Sequence, residues 1–453
     1  MLEFKPVSVK DKLNIDSFFA ATQEISCEVN FATLLIWQTV YGTRFAICGD
    51  CMIVRMLDER GFVYSLPFGN FERGMELIFN EEPSPRFWVQ EGERYDRFIA
   101  SYGARYIINE ERNAFDYLYL RTDLAELSGR KYQAKRNHIS AFSRAHDWRF
   151  VPICADNTDD VKACAEQWYA ENHADGKYLD AERNGVYLLL DNMERLGAKG
   201  GAITVDGKVV AFTVGTAISN EIFDIHIEKA LADYSTAYAV INREFARSLS
   251  GYTYINREDD MGLDGLRKAK LSYRPVRLIR KFGCDCITAV REKCFELYRK
   301  TFGNSGEFDR KLFDLFFDCC KYIVVDGEVV SMLFALPCTL CLDGERYPCR
   351  YIYAAATAEK FRSQGYMSRL ICEQTGTLLL KPASESLIGY YKKHGFVPFN
   401  AYHAKSGERR VETDSLFSAL AADGNLSGTP FTAMIKSEQN LDCEGLSFAY
   451  TME

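Results

Sequence analysis

The chain has 453 residues, of which 47% are apolar, 13% aromatic and 26% charged, with a net charge of −8. This composition excludes a largely disordered chain, and no uninterrupted apolar run approaches the ~20 residues of a membrane-spanning helix. The acidic balance argues against a general nucleic-acid binder.

At ~100–200 residues per domain the length predicts two to four domains. The first sixteen residues mix charges with no apolar signal core, so a cytoplasmic, soluble protein is expected. The longest apolar stretch, Phe31 to Trp37, is too short to span a membrane. Next, Phe45 to Val54 sets a Gly49-Asp50 turn between two apolar runs. The segment 128–149 holds Arg130, Lys131, Lys135, Arg136, Arg144 and Arg149 against Asp147 alone. Val205-Asp206-Gly207-Lys208-Val209-Val210 then predicts a hairpin, because Asp-Gly suits the positive φ of a type I′ turn. A strand over Glu221 to Ile227 and a helix from about Ser235 follow. The segment 265–281 is basic throughout, with Arg267, Lys268, Lys270, Arg274, Arg277, Arg280 and Lys281. The two basic segments carry +5 and +7, leaving −20 for the rest, and such segregation points either to a local anionic ligand or to a solvated basic helix face.

A helix is predicted from about Ala289, with Val290, Cys294, Leu297 and Tyr298 on one face. A second should present Leu312, Phe313, Leu315, Phe316 and Cys319. The hairpin then recurs as Val325-Asp326-Gly327-Glu328-Val329-Val330, followed again by a strand (Arg350 to Thr357) and a helix, from about Gly365. A further strand at Leu378 to Leu380 leads to a helix capped by Ser384 and stopped at Gly395. Asp423 to Thr429 reads as an exposed loop. The repeats predict three related α/β units, at 1–125, 126–285 and 286–453. Each is expected to be a mixed sheet flanked by helices, packed together without a Pro- or Gly-rich linker.

The 15 cysteines are read as reduced thiols. The pairs Cys48/Cys51 and Cys338/Cys341 each lack a matching second pair, so no metal is expected.

In the third unit a strand, a short loop with Arg362 and Gly365, and a helix form a plan for holding a pyrophosphate, since helix N-terminal N–H groups attract anions. The segment 350–396 resembles the GNAT N-acetyltransferases. Arg362 and Gly365 match that family's [QR]-x-x-G-x-[GA] signature, and Tyr391, Gly395 and Phe396 match Y-x-x-x-G-F. The resemblance covers about Cys286 to Lys436. It implies that acetyl-CoA is the donor and that Ala355 and Thr357 offer backbone groups to its pantetheine arm. Arg362, Ser363, Gln364, Gly365, Tyr366 and Met367 would cradle the pyrophosphate, and Tyr391 would protonate the departing thiolate. Met367 departs from the pattern, which has Gly or Ala there. Glu385, His403 and a water chain stay open as the base; His394 reads as a helix-end residue.

Residues 116–142, 254–275 and the stretch from Asn30 to Trp37 resemble the phosphatidylglycerol lysyltransferase C-terminal family, built of paired GNAT-like folds. The resemblance implies three tandem GNAT-like units. Characterised relatives move an amino acid from aminoacyl-tRNA to a lipid head group. Where the third unit has Arg362 and Gly365 the second has about Tyr234 and Ala237, so CoA binding is not expected there. Second-site candidates are Lys131, Lys135, Arg136, Asn256, Arg257, Glu258, Asp260, Lys268 and Lys270, able to position tRNA or another anion. Alternatively, Arg257 and Lys268 simply pair with Glu258 and Asp260. The leading expectation is an N-acetyltransferase acting on a small-molecule or peptide amine. The alternatives are an aminoacyl-tRNA-dependent transferase using the first two units, and a non-catalytic binder.

Overall fold

The structure is a computed structural model describing residues 2–172, 176–303, 306–325, 327–403, 408–413, 428 and 430–448. The chain divides into two compact units, residues 1–286 and 287–453.

Residues 1–286 hold two mixed sheets. β1 (Lys5–Pro6), β2 (Arg44–Cys48), β3 (Cys51–Asp58), β4 (Gly61–Tyr64), β5 (Phe68–Gly69), β6 (Arg86–Gln90) and β7 (Tyr106–Glu110) belong to the first. The second comprises β8 (Asp116–Leu120), β9 (Trp148–Pro152), β10 (Lys199–Val205), β11 (Lys208–Ala217), β12 (Ile222–Ala230), β13 (Tyr254–Asn256) and β14 (Arg277–Ile279). β15 (Lys281–Cys286) returns to the first sheet, between β6 and β7. The orders are β1-β2-β3-β4-β6-β15-β7, with β5 beside β3, and β14-β8-β13-β12-β11-β10-β9. Chain order and sheet membership therefore cross over, since β8 lies before residue 125 but pairs with β13 and β14.

One apolar cluster draws on both sheets and the helices over them, joining Phe45, Met52 and Val54 to Ala202, Phe212 and Val214. Phe31–Tyr41 forms a helix whose Phe31 to Ile36 are buried, which is why this stretch is so apolar. The predicted hairpins form. Asp206 (φ 50°) and Gly207 (φ 81°) take the two positive-φ positions of a type I′ turn, and Cys48 pairs with Cys51 across Gly49-Asp50.

Residues 287–453 hold a third sheet: β16 (Cys320–Val325), β17 (Glu328–Leu342), β18 (Glu345–Thr357), β19 (Thr377–Leu380), β20 (Val397–His403), β21 (Arg410–Thr413), β22 (Pro430–Lys436) and β23 (Leu446–Phe448). The order is β16-β17-β18-β19-β22-β20-β23-β21, and β21 pairs back onto β17, closing a ring. The helices Ile287–Phe302 and Glu307–Phe316 pack through aromatic edges, with Phe313 5.1 Å from Phe295 and 5.0 Å from Phe334.

Two local expectations need correction. The second of these helices ends at Phe316, Cys319 falls in a following 3-10 turn, and Leu315 is exposed. Ser384 does not cap a helix with its side chain: it hydrogen-bonds Ser386, a 3-10 turn follows, and the helix proper is only Ile388–Lys392. The expected loop from Asp423 to Thr429 lies, apart from Gly428, outside the described residues.

Candidate functional site

β18 runs parallel to β19 only from Cys349↔Thr377 to Tyr351↔Leu379. β19 ends at Leu380 while β18 continues to Thr357, so from Ile352 onward β18 has no paired strand on that side among the described residues. On the other side, the pairing with β17 slips between Met332 and Phe334, and Ala354 takes a left-handed φ of 51°. Such a bulge re-aims the backbone, a device common beside active sites. Ala355 packs on the core beneath, and the Thr357 hydroxyl meets Ser331 Oγ at 2.9 Å.

The following turn is left-handed at Ser363 (φ 64°) and Gly365 (φ 86°); a Cβ added at Gly365 would meet nothing within 4 Å. Gly365 is the N-cap of Tyr366–Cys372 and supplies no side-chain cap, so the first N–H groups of that turn face outward. Arg362 is exposed, its Nε donating to Thr357 O at 3.3 Å, and Gln364 donates to Lys360 O. Phe361 meets the Tyr366 ring edge-on. Met367 is partly buried against the same apolar cluster as Ala355.

Tyr391 belongs to that cluster, with Ile352, Leu370 and Phe396, and is 8% exposed. Burial pushes its phenol up to about 12. The strand opening, the turn and the tyrosine thus surround one core. Of the base candidates, Glu385 is exposed and His403 is buried, stacked on Phe431 at 4.2 Å. His394 ties its own helix to the Tyr366–Cys372 helix through Ser368 Oγ at 3.1 Å, as a helix-end residue would.

In residues 1–286 much of the basic charge meets internal partners. Lys131 lies 3.0 Å from Asp123. Arg136 donates to the carbonyls of Leu127 and Gly129, holding the end of the Arg121–Glu126 helix. Arg277, Arg280 and Lys281 meet Glu91, Glu110 and Asp116. The alternative pairing expected for Arg257 is corrected: it meets Glu228 at 2.8 Å. Asp260 takes Arg267 at 2.8 Å and Arg112 at 3.2 Å. Burial works against its charge, but hydrogen bonds from Arg267 and Tyr117 hold its carboxyl well below the usual range. Lys270 Nζ donates to the main-chain carbonyls of Arg257 and Asp259. Asn256 donates to Asp116 Oδ2 at 3.1 Å. Lys268 is exposed, and Lys135 lies 3.8 Å over the Tyr273 ring.

The sequence reading missed the buried cluster these residues surround. Asp116, fully buried, accepts from Ser26, Cys27 N and Asn256 and lies 2.8 Å from Lys281 Nζ. Beside it, β12 presents Asp224 and His226. His226 Nδ1 is 2.9 Å from Glu258 Oε1 and 3.6 Å from Asp224 Oδ2. Burial, then Glu258, pushes Asp224 well up. The available signal was period two: Asp224, His226 and Glu228 alternate with apolar residues along one strand.

A family model described as phosphatidylglycerol lysyltransferase, C-terminal, matches residues 19–285. The chain belongs to this family. An acetyltransferase (GNAT) domain model matches residues 288–396, so this lysyltransferase-family chain carries a GNAT domain after its family region. It is similar to a crystal structure of a "conserved protein of unknown function" from Bacteroides thetaiotaomicron. That match has 36% identity, covers 63% of this chain and 100% of the other, and has a TM-score of 0.59. It is also similar to the structure of L-PGS from Bacillus licheniformis, at 14% identity over 61% of this chain and 92% of that one, with a TM-score of 0.45. No curated protein matches. Both matched regions are transferase domains, which makes the chain a transferase of the acyl- or aminoacyl-transfer class. Among the described residues, no helix is long and apolar enough to cross a membrane.

Proposed function

We propose that residues 287–453 transfer an acyl group, acetyl in the simplest case, from an acyl-CoA thioester to an amine. The observation that carries this reading is the end of β18's pairing with β19 after Tyr351, with the buried Tyr391 in the same apolar cluster as Ile352 and Ala355. A thioester in this opening lies along main chain free of a neighbouring strand. N–H groups near Ala355 are then placed to stabilise negative charge on the carbonyl oxygen, the kind of fixed donor that acts most strongly in a water-poor site. The turn from Arg362 to Met367, with its outward N–H groups and the Arg362 guanidinium, supports the diphosphate.

A neutral amine attacks the carbonyl carbon. The C–N bond forms, the C–S bond breaks, and the sulfur takes a proton from Tyr391, whose phenol keeps its proton throughout the neutral range because burial raises it to about 12. The attacking nitrogen sheds a proton to solvent, and the Tyr391 phenolate takes one back from solvent.

Calorimetric titration of the full chain with acetyl-CoA is expected to show binding that Arg362→Glu weakens about tenfold, the scale of one charge-assisted contact. No heat of binding with the unaltered chain overturns the reading. Tyr391→Phe is expected to lower kcat ~10²-fold with KM for the thioester unchanged; unchanged turnover would return Tyr391 to a packing role.

A second reading, aminoacyl transfer from tRNA by residues 1–286, is favoured by the family match over 19–285. It expects salt-sensitive tRNA binding that weakens when Lys135 and Lys268 are neutralised. Arg136 is a poorer probe, because it holds the carbonyls of Leu127 and Gly129.

A further inference from the structure

The hydrogen bonds around His226 can be assigned from a single main-chain donor. Ala32 N donates to Asn30 Oδ1 at 3.0 Å, which settles the amide's orientation. Asn30 Nδ2 therefore faces Asp224 Oδ2, at 3.2 Å. The Thr216 hydroxyl lies 2.9 Å from Asn30 Oδ1, an oxygen that only accepts, so Thr216 donates there. Its remaining capacity is to accept, and His226 Nε2, at 2.8 Å, must be the N–H that donates to it. A neutral His226 then turns the bare lone pair of Nδ1 toward Glu258 Oε1 and Asp224 Oδ2. When both carboxylates are ionised, three acceptors converge with no hydrogen among them.

Charge accounting sharpens the conflict. Of the nearby cations, Lys281 meets Asp116 and Glu28, Arg257 meets Glu228, and Lys270 Nζ donates to the main-chain carbonyls of Arg257 and Asp259. Asp224 Oδ1, in a fully buried residue, has no hydrogen-bond partner among the described residues, and leaving such an oxygen unpaired is costly in a dry site.

A divalent cation suits this arrangement: it neutralises two carboxylates beside a neutral imidazole whose Nδ1 lone pair faces them. The three donor atoms lie within 4.8 Å of one another. The separations of 2.9 and 3.6 Å at Nδ1 bracket the roughly 3.0–3.4 Å expected between two ligands each about 2.1 Å from one ion. We infer that Asp224, His226 and Glu258 form a site for one divalent cation of the class that takes imidazole and carboxylate together, such as manganese or zinc. Thr216 and Asn30 position the ring and fix its tautomer, as outer partners of metal-binding histidines do. The Glu258 side chain is 17% exposed and marks the way in from solvent.

The test uses the full chain, stripped with a chelator, dialysed and titrated with Mn²⁺ under electron paramagnetic resonance. Mn²⁺ is chosen because it favours oxygen and nitrogen donors over the chain's cysteines. Saturable uptake of a single ion per chain is expected, and Asp224→Asn and Glu258→Gln should each abolish it while their circular dichroism stays unchanged. Thr216→Val should weaken uptake about tenfold or more, and Thr216→Ser should restore it. The inference falls if the unaltered chain takes up neither Mn²⁺ nor Zn²⁺, or if uptake persists in the two carboxamide variants.

Discussion

Lys135 shows how one residue's behaviour is set by what the fold places around it. It lies over Tyr273, and burial, then the nearby Arg257, lowers its ammonium to about 8. The folded state sheds this proton at lower pH than the unfolded chain, whose lysines titrate near ~10.4. Between those values the unfolded state binds more protons, so this residue's contribution to stability rises with pH across that window. Lysine-selective NMR should find Lys135 titrating near 8; a midpoint above 10 would contradict the placement. The sequence offered Lys135 only as one of a basic run. Its distinctive surroundings come from Tyr273 and Arg257, more than a hundred residues away. No cysteine pair marks His226, and its meeting with Glu258 is made by the fold.

At the scale of elements, motifs with local causes were readable in advance. Asp206-Gly207 gives its turn because positive φ is a local requirement, and Val290, Cys294, Leu297 and Tyr298 are buried as helical spacing requires. The limits came where an element's end depends on its neighbours, as at Phe316 and Ser384. Helix contacts yield a prediction of their own. The helix Gly176–Asp191 crosses Phe31–Tyr41 so closely that a Cβ on Gly185 would sit 2.1 Å from Ile36 Cγ2. Ile36 is β-branched and held in the core, so it yields little room. Gly185→Ala should therefore cost about 1–3 kcal/mol by overpacking, read as a lowered melting temperature. A melting temperature equal to that of the unaltered chain would show the two helices farther apart.

Across the larger unit, the pair Lys281–Asp116 joins β15 of the first sheet to β8 of the second, at 1% and 0% side-chain exposure. Lys281→Met should destabilise residues 1–286 by about 3–5 kcal/mol, because it strands a buried carboxylate. Adding Asp116→Asn should recover most of the loss. The pH dependence follows from the direction of the Asp116 shift. Burial raises its carboxyl, but Lys281 and the hydrogen bonds from Cys27 N and Asn256 together outweigh burial and lower it, so the pair's contribution is complete above the ordinary carboxylate range and fades as pH falls through the folded value. Urea melts of the Lys281→Met variant should therefore differ most from the unaltered chain at neutral pH and least in acid. A gap that does not change with pH would overturn this account.

By itself the sequence determined the hairpins, the strand–loop–helix order around Arg362 and Gly365, and the two family signatures, because each depends on spacing within a few dozen residues. Only the tertiary structure decided that β15 crosses back into the first sheet and that acids from distant strands meet the basic segments. It also decided that β18 outruns β19 after Tyr351, and that Asp224, His226 and Glu258 converge. The reason is physical: backbone preference and periodicity act along the chain, whereas charge pairing and burial act through space, between residues the linear order keeps apart.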